Sequence, residues 1–169
     1  MKTFEREYRD IVSVWLRTDF NMENAAAATT FAKSQNIPRD VVVSILQNFS
    51  GVPGRMEYIQ REPFTVVVDY AHTPESLRAV YHALKPNSPA RLIAVLGAAG
   101  GGRDKWKRLE FGRIAAKYCS EIILTNEDPY DEDPQSILND IEKGVSVVHY
   151  QKILDRKAAI ICAIKLANP

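Results

Sequence analysis

The sequence predicts an α/β fold, a mostly parallel sheet covered by helices, preceded by a short helical piece. Two observations predict it. From residue 64 onward, short apolar runs alternate four times with segments of helical periodicity, the pattern of strand–helix–strand units sharing one sheet. Residues 21–50 carry helical spacing throughout, with no strand between. The 169 residues, 46% of them apolar, suit one domain of about 100–150 residues plus a smaller piece. A chain of this length can bury a core without disulfides.

Taken in order, "NMENAAAATTFAKSQ" is alanine-rich with Asn21 as its N-cap. "PRDVVVSILQNF" sets Val42, Ile45, Leu46 and Phe49 at helical spacing and stops at Ser50-Gly51. "GVPGR" (51–55) reads as a turn or hinge. "FTVVVD" (64–69) suits a fully buried strand, and "PESLRAVYHALK" a helix with Thr73 as N-cap and Pro74 at its first position. "RLIAVLG" (91–97) is a second strand, followed by a glycine cluster and the helix "WKRLEFGRIAAKYC". "EIILTN" (121–126) is a third strand. An acidic loop follows, in which Asp131 and Glu132 read as solvated, before a helix with Asp133 as N-cap and Pro134 next. "VSVVHY" is a shorter strand and "DRKAAIICAIKLA" a last helix. No strand follows that helix, and the first sixty residues are too few for an α/β domain, so the chain reads as a fragment of a longer protein.

Lys and Arg number 22 against 21 Asp and Glu, a net charge of +1, which argues against a nucleic-acid or membrane binder. The charged start lacks a signal-peptide apolar region, and no apolar run approaches the ~18 residues of a membrane span. A cytoplasmic protein is expected, with Cys119 and Cys162 as buried reduced thiols. The cysteines and His72, His82 and His149 show no metal-ligand spacing, and there is no G-x-S-x-G elbow.

In an open parallel sheet, ligands bind beyond the carboxyl ends of the strands. The three strong strands end there in "DYAHTP", "GAAGGGRDK" and "TNEDPY". Asp69 could accept hydrogen bonds from adjacent ribose hydroxyls, or cap the next turn. His72 precedes a helix N-terminus that favours anions, or has a structural role. Gly100 to Gly102 permit close backbone approach, and Arg103 could grip a carboxylate or phosphate. Neither common phosphate-loop template is met, and a flexible turn before a solvated basic helix start accounts equally for the stretch. Arg103, Lys105, Lys107 and Arg108 would face the acidic loop, a pairing suited to a zwitterionic substrate.

"FNMENAAAA", "GVPGRME", "VVVDYAHTPESL", "LIAVLGAAGGGRDKWKR" and "ILTNEDPYDEDP" together resemble the successive landmarks of the Mur ligases. The best match is the UDP-N-acetylmuramoyl-tripeptide synthetase branch, which adds the third peptide residue in peptidoglycan synthesis. The resemblance covers nearly the whole chain and implies an ATP-dependent amide-bond ligase working through an acyl phosphate. It implies that residues 1–56 are the last helices of a central ATPase domain. Residues 57–169 would be a Rossmann-like C-terminal domain lacking its final glycine-lysine-glycine-histidine-glutamate segment, with "GVPGR" at the hinge. The phosphate loop, the Mg2+ ligands and a modified lysine would lie outside this chain. No catalytic residue is therefore assigned here, and the chain alone is expected to be inactive.

Carried over by position, Asn24 resembles the asparagine near the adenine, Arg55 the arginine reaching the nucleotide, and Asp69 the ribose-binding aspartate. His72 falls beside the nucleotide, and Arg103 resembles the arginine that holds the incoming amino acid's carboxylate. The Asp-Asn-Pro-Arg motif of diaminopimelate-adding members aligns with Glu127, Asp128, Pro129 and Tyr130. Tyrosine lacks the guanidinium fork a distal carboxylate wants, so a cationic side chain such as lysine or ornithine fits the acidic loop better. The implied partners are ATP, UDP-N-acetylmuramoyl-dipeptide and an amino acid, in a monomer. Folylpolyglutamate and cyanophycin ligases share the fold but fit these motifs less well. A nicotinamide-dependent oxidoreductase would need the G-x-G-x-x-G that is absent. A non-catalytic binding module would not need polar groups converging at one edge.

Overall fold

The computed structural model describes residues 11, 16, 18–102, 104–146 and 148–167. The chain divides into two compact units, Met1–Glu57 and Tyr58–Pro169.

In the first unit, α1 (Asp19–Ser34) and α2 (Arg39–Asn48) bury Ala25 against Val42 and Leu46, with Ile11 and Leu16 packed on that cluster. Asn21 is not the N-cap. The amides of Asn21 and Met22 both donate to the Thr18 carbonyl, so the first turn closes earlier and Asn21 is buried inside it. Ile45 is exposed, because the buried row of α2 is the i, i+4 pair Val42 and Leu46. The turn expected at 51–55 is present: the Arg55 amide donates to the Val52 carbonyl at 3.0 Å. Pro53 stands at its second position and Gly54 at its third with φ +69°, the left-handed conformation a type II turn requires.

The second unit carries β1 (Glu57–Gln60, its first residue at the boundary), β2 (Val66–Val68), α3 (Pro74–Ala83), β3 (Ile93–Leu96), α4 (Trp106–Tyr118), β4 (Glu121–Leu124), α5 (Pro134–Glu142), β5 (His149–Lys152) and α6 (Arg156–Ala167). Strands β3, β4 and β5 form a parallel sheet in that order, Ala94 opposite Ile122 and Ile122 opposite Tyr150. The mixed α/β class with a parallel, helix-covered sheet is thus the observed one. Ile122, Ile123 and Leu124 of β4 are all buried, and successive strand residues point to opposite faces, so both faces are covered there. Helices α5 and α6 both pack on β4, while α3 packs on α4 and α4 on α5.

Three expectations are corrected. Strand β2 lies in a separate two-stranded sheet with β1 and is only half-buried, with Val68 exposed. Strand β2 is only three residues long and is not the fully buried strand its valines suggested, and the polar "EYIQ" of β1 carried no strand signal at all. Strand β5 starts at His149, near the end of "VSVVHY", and all four residues are exposed, as befits an edge strand. Cys162 is half-buried rather than buried, its thiol 3.8 Å from Gln151 Oε1. Cys119 is buried and unpaired by any disulfide; burial pushes its thiol up to about 12, against a hydrogen bond with Tyr81 that lowers it.

Capping explains where the helices begin. Thr73 and Ser76 form a reciprocal capping box at α3, with Pro74 next. Asp133 accepts from the amides of Gln135 and Ser136 at 3.2 and 3.1 Å at α5. Both caps stand as the sequence predicted.

Candidate functional site

The carboxyl edge of the parallel sheet carries two loops, β3–α4 (97–105) and β4–α5 (125–133). The parallel register aligns Leu96 with Leu124, so the loops leave side by side. The Thr125 amide donates to the Leu96 carbonyl at 2.9 Å and the Gly100 amide to the Asp128 carbonyl at 2.8 Å. Glycine permits this approach. A Cβ at Gly97 would stand 2.6 Å from the Thr125 carbonyl oxygen and 3.2 Å from Glu127 Cβ, and one at Gly100 would collide with the Pro129 carbonyl. A third connection helps: Arg156, at the start of α6, donates to the Asn126 carbonyl at 3.0 Å.

Glu127 is half-buried and Asp128 exposed. Tyr130 adopts φ +52° and is 74% exposed, with its ring over Gly101. Arg103 lies outside the described residues. Among the described residues, the nearby basic side chains are engaged in ion pairs. Arg108 is 2% exposed and its guanidinium meets Glu132 in a two-pronged pair, Nη1 to Oε2 and Nη2 to Oε1, each at 3.0 Å. Nη1 also reaches Asp140 Oδ2 at 3.2 Å, and Nη2 the Ala99 carbonyl at 3.3 Å. Lys105 pairs with Glu132 at 3.0 Å, and Lys107 with Asp104 at 2.6 Å.

Glu132 is therefore not solvated; its side chain is only 16% exposed. Between the two loops, Lys105 and Arg108 both pair with Glu132, so this part of the opposite-charge pairing read as substrate complementarity is a structural pair. The Arg108 guanidinium, then the Gly102 amide and Lys105, hold the Glu132 carboxyl down at about 2, against an ordinary 4.5. A carboxyl depressed on folding contributes stability above its unfolded pKa and loses it as pH falls through the folded one. Acid titration of the chain should accordingly show stability falling between pH 4.5 and about 2, and Glu132→Gln should flatten that limb in a denaturant melt.

"DYAHTP" follows β2, so two of the three expected polar loops share an edge of the parallel sheet and the third belongs to the other sheet. Asp69 is half-buried; His72 is exposed, its Nδ1 3.0 Å from the Tyr70 carbonyl and its ring 5.1 Å from that of Tyr70. Asn24 is exposed on α1, and Arg55 exposed at the turn of the first unit. Arg108 does face the acidic loop as expected, through Glu132, whereas Glu132, read as solvated, and Arg156 were missed as site-forming residues. The available signal was an arginine at helical spacing facing a carboxylate one loop away, and only the strand register brings the two together.

The family model for the Mur ligase, glutamate ligase domain matches residues 54–169. A UDP-N-acetylmuramoyl-L-alanyl-D-glutamate–2,6-diaminopimelate ligase of Thermosynechococcus vestitus is 41% identical over 154 residues, covering 89% of this chain and 31% of that protein. A UDP-N-acetylmuramyl-tripeptide synthetase of Roseiflexus sp. is 40% identical over 161 residues, covering 91% of this chain and 31% of its own length. A solved diaminopimelate ligase structure of the first kind superposes with a TM-score of 0.63 at 35% identity, covering 89% of this chain and 31% of the other. A folylpolyglutamate synthase of Mycobacterium tuberculosis superposes at 0.71 with 20% identity, covering 88% and 34%, a likeness of fold alone. The chain spans about a third of the length of these relatives, 31% for the two sequences.

Proposed function

The chain belongs to the Mur ligase family, and on that premise we propose that it is the amino-acid-binding, nucleotide-closing part of a tripeptide-forming ligase. The ligase works in the cytoplasm as a monomer on ATP, UDP-N-acetylmuramoyl-dipeptide and an amino acid. A carboxylate oxygen of the dipeptide attacks the γ-phosphorus of ATP, and ADP leaves. The amino acid's amine then attacks the acyl carbon, the C–N bond forms and phosphate leaves with the former carboxylate oxygen. Residues 1–56 belong to the central ATPase domain and 57–169 to the C-terminal one. Asn24, Arg55, Asp69 and His72 serve the nucleotide, Arg103 the amino acid's carboxylate, and Glu127, Asp128 and Tyr130 its side chain.

The observation that carries this reading is the Gly100–Asp128 hydrogen bond, which sets the glycine loop beside the 127–130 segment at the carboxyl edge of the sheet. Among the described residues no three His, Cys, Asp or Glu side chains are grouped to hold a metal ion. Mg2+ is typically held by one or two carboxylates plus the phosphates of its nucleotide, and its protein ligands are proposed to lie outside these residues. Likewise, no described helix is long and apolar enough to cross a membrane. Tyr130 favours lysine or ornithine as the amino acid, whereas the names of relatives such as the Thermosynechococcus protein favour diaminopimelate. The test is phosphate release by the full-length protein with ATP, UDP-N-acetylmuramoyl-dipeptide and each amino acid in turn. Turnover with a diamino acid is expected, lysine or ornithine first. No turnover with any of them, or ligation by the 169-residue chain alone, would overturn the reading.

A further inference from the structure

Glu132 is the residue in which the two loops meet. It lies two residues beyond Tyr130, yet its carboxylate accepts from the Gly102 amide at 2.7 Å, from Lys105 at 3.0 Å, and from both arms of Arg108. Arg108 in turn is held by the Ala99 carbonyl at the start of the glycine loop and by Asp140 on α5. One carboxylate thus ties the loop that opens α4 to the segment that opens α5, with a buried guanidinium as the crosspiece. Charge-assisted, two-pronged bonds of this kind fix geometry as well as energy. The neighbouring Tyr130 is in a left-handed backbone conformation with its ring over Gly101, an arrangement that persists only where its surroundings over-determine it.

We propose that Glu132 is a positioning residue for amino-acid selection, holding the Glu127–Tyr130 segment in register with the Gly100–Gly102 backbone. The proposal rests on the ligase reading for its functional half; the clamp itself does not. Glu132 touches no substrate, and its effect is exerted through the loops. Its loss should therefore weaken recognition of the amino acid and leave the nucleotide unaffected.

The experiment has two arms. In the 169-residue chain, Glu132→Gln should speed hydrogen exchange at the Gly100 and Gly102 amides by tenfold or more, roughly the worth of a hydrogen bond to a charged group. Exchange at the buried Ile122 to Leu124 should rise by no more than the loss of global stability seen in a urea melt, and by less than at Gly100 and Gly102. In the full-length protein, Glu132→Gln should raise KM for the amino acid roughly tenfold, with KM for ATP unchanged. Asp140→Asn, which removes Arg108's other carboxylate but leaves the loop-to-loop bonds, should lower Tm without moving the amino-acid KM. Should Glu132→Gln fail to fold around an unmatched Arg108, the double variant Arg108→Met/Glu132→Gln removes both charges and should show the same KM rise. Unchanged exchange at Gly102 overturns the clamp. Faster exchange with an unchanged amino-acid KM, or equal rises in both KM values, overturns the positioning role. Absence of turnover in the wild-type protein counts against the ligase reading and with it the selection role, while the exchange arm still decides the clamp.

Discussion

Tyr130→Arg is expected to turn the proposed full-length ligase toward diaminopimelate. Tyr130 is exposed and already adopts φ +52°, so arginine meets no greater backbone strain there than tyrosine does. What arginine adds is a planar fork able to take a carboxylate bidentately. Hydrogen bonds to charged groups contribute about 1.5–3 kcal/mol, which corresponds to at least a tenfold change in preference. The quantity to measure is the ratio of kcat/KM for diaminopimelate to that for lysine, in the wild type and the variant. A rise of tenfold or more is expected, with Tm shifted little. An unchanged ratio would remove Tyr130 from the selectivity segment and weaken the assignment of Glu127 and Asp128 beside it.

Gly112→Ala should destabilise the second unit by about 2 kcal/mol or more, because overpacking against rigid neighbours outweighs a better helix former. In isolation, alanine in the middle of α4 would gain about 1 kcal/mol over glycine. Here the added Cβ would run into the Ile141 carbonyl oxygen and stand 3.0 Å from Gly144 Cα. Both are backbone, so no flexible side chain can yield. Gly144 has the reciprocal problem: a Cβ there would meet the Leu109 carbonyl and stand 2.8 Å from the Arg113 amide. The two glycines let α4 approach the end of α5 closely, and α5 in turn packs on β4. Urea melts should show the lower midpoint, and a variant as stable as wild type would mean that the contact relaxes freely.

Much of the fold was legible because its signals are local. The caps Thr73 and Asp133 act on amides two or three residues away, and prolines follow both. The strands β3 and β4 are apolar runs of helix-excluding brevity. Misreadings occurred where the deciding contact was distant or the segment weakly patterned. Asn21 has a cap's chemistry, but the turn closes on Thr18. Strand β2 has a core strand's composition, but it pairs with a polar segment that carries no strand pattern. Glu132 has the look of a loop carboxylate, and its partner Arg108 lies 24 residues earlier.

By itself, the sequence determined the succession of strands and helices from residue 64 onward, the tight turn at 52–55 and the family motifs that place this chain among the Mur ligases. Each depends on backbone propensities and hydrogen bonds within a few residues, or on residue identity alone. Only the tertiary structure decided that the glycine loop and the acidic loop are hydrogen-bonded to each other at the sheet's carboxyl edge and that Arg108 is buried against Glu132 and Asp140. It also decided that the acidic run after β4 divides into an exposed Tyr130 and a clamped Glu132. The reason is physical: a charge is solvated or paired according to what the sheet register sets opposite it, and that register is a property of strands 28 positions apart, as Ile93 and Glu121 are.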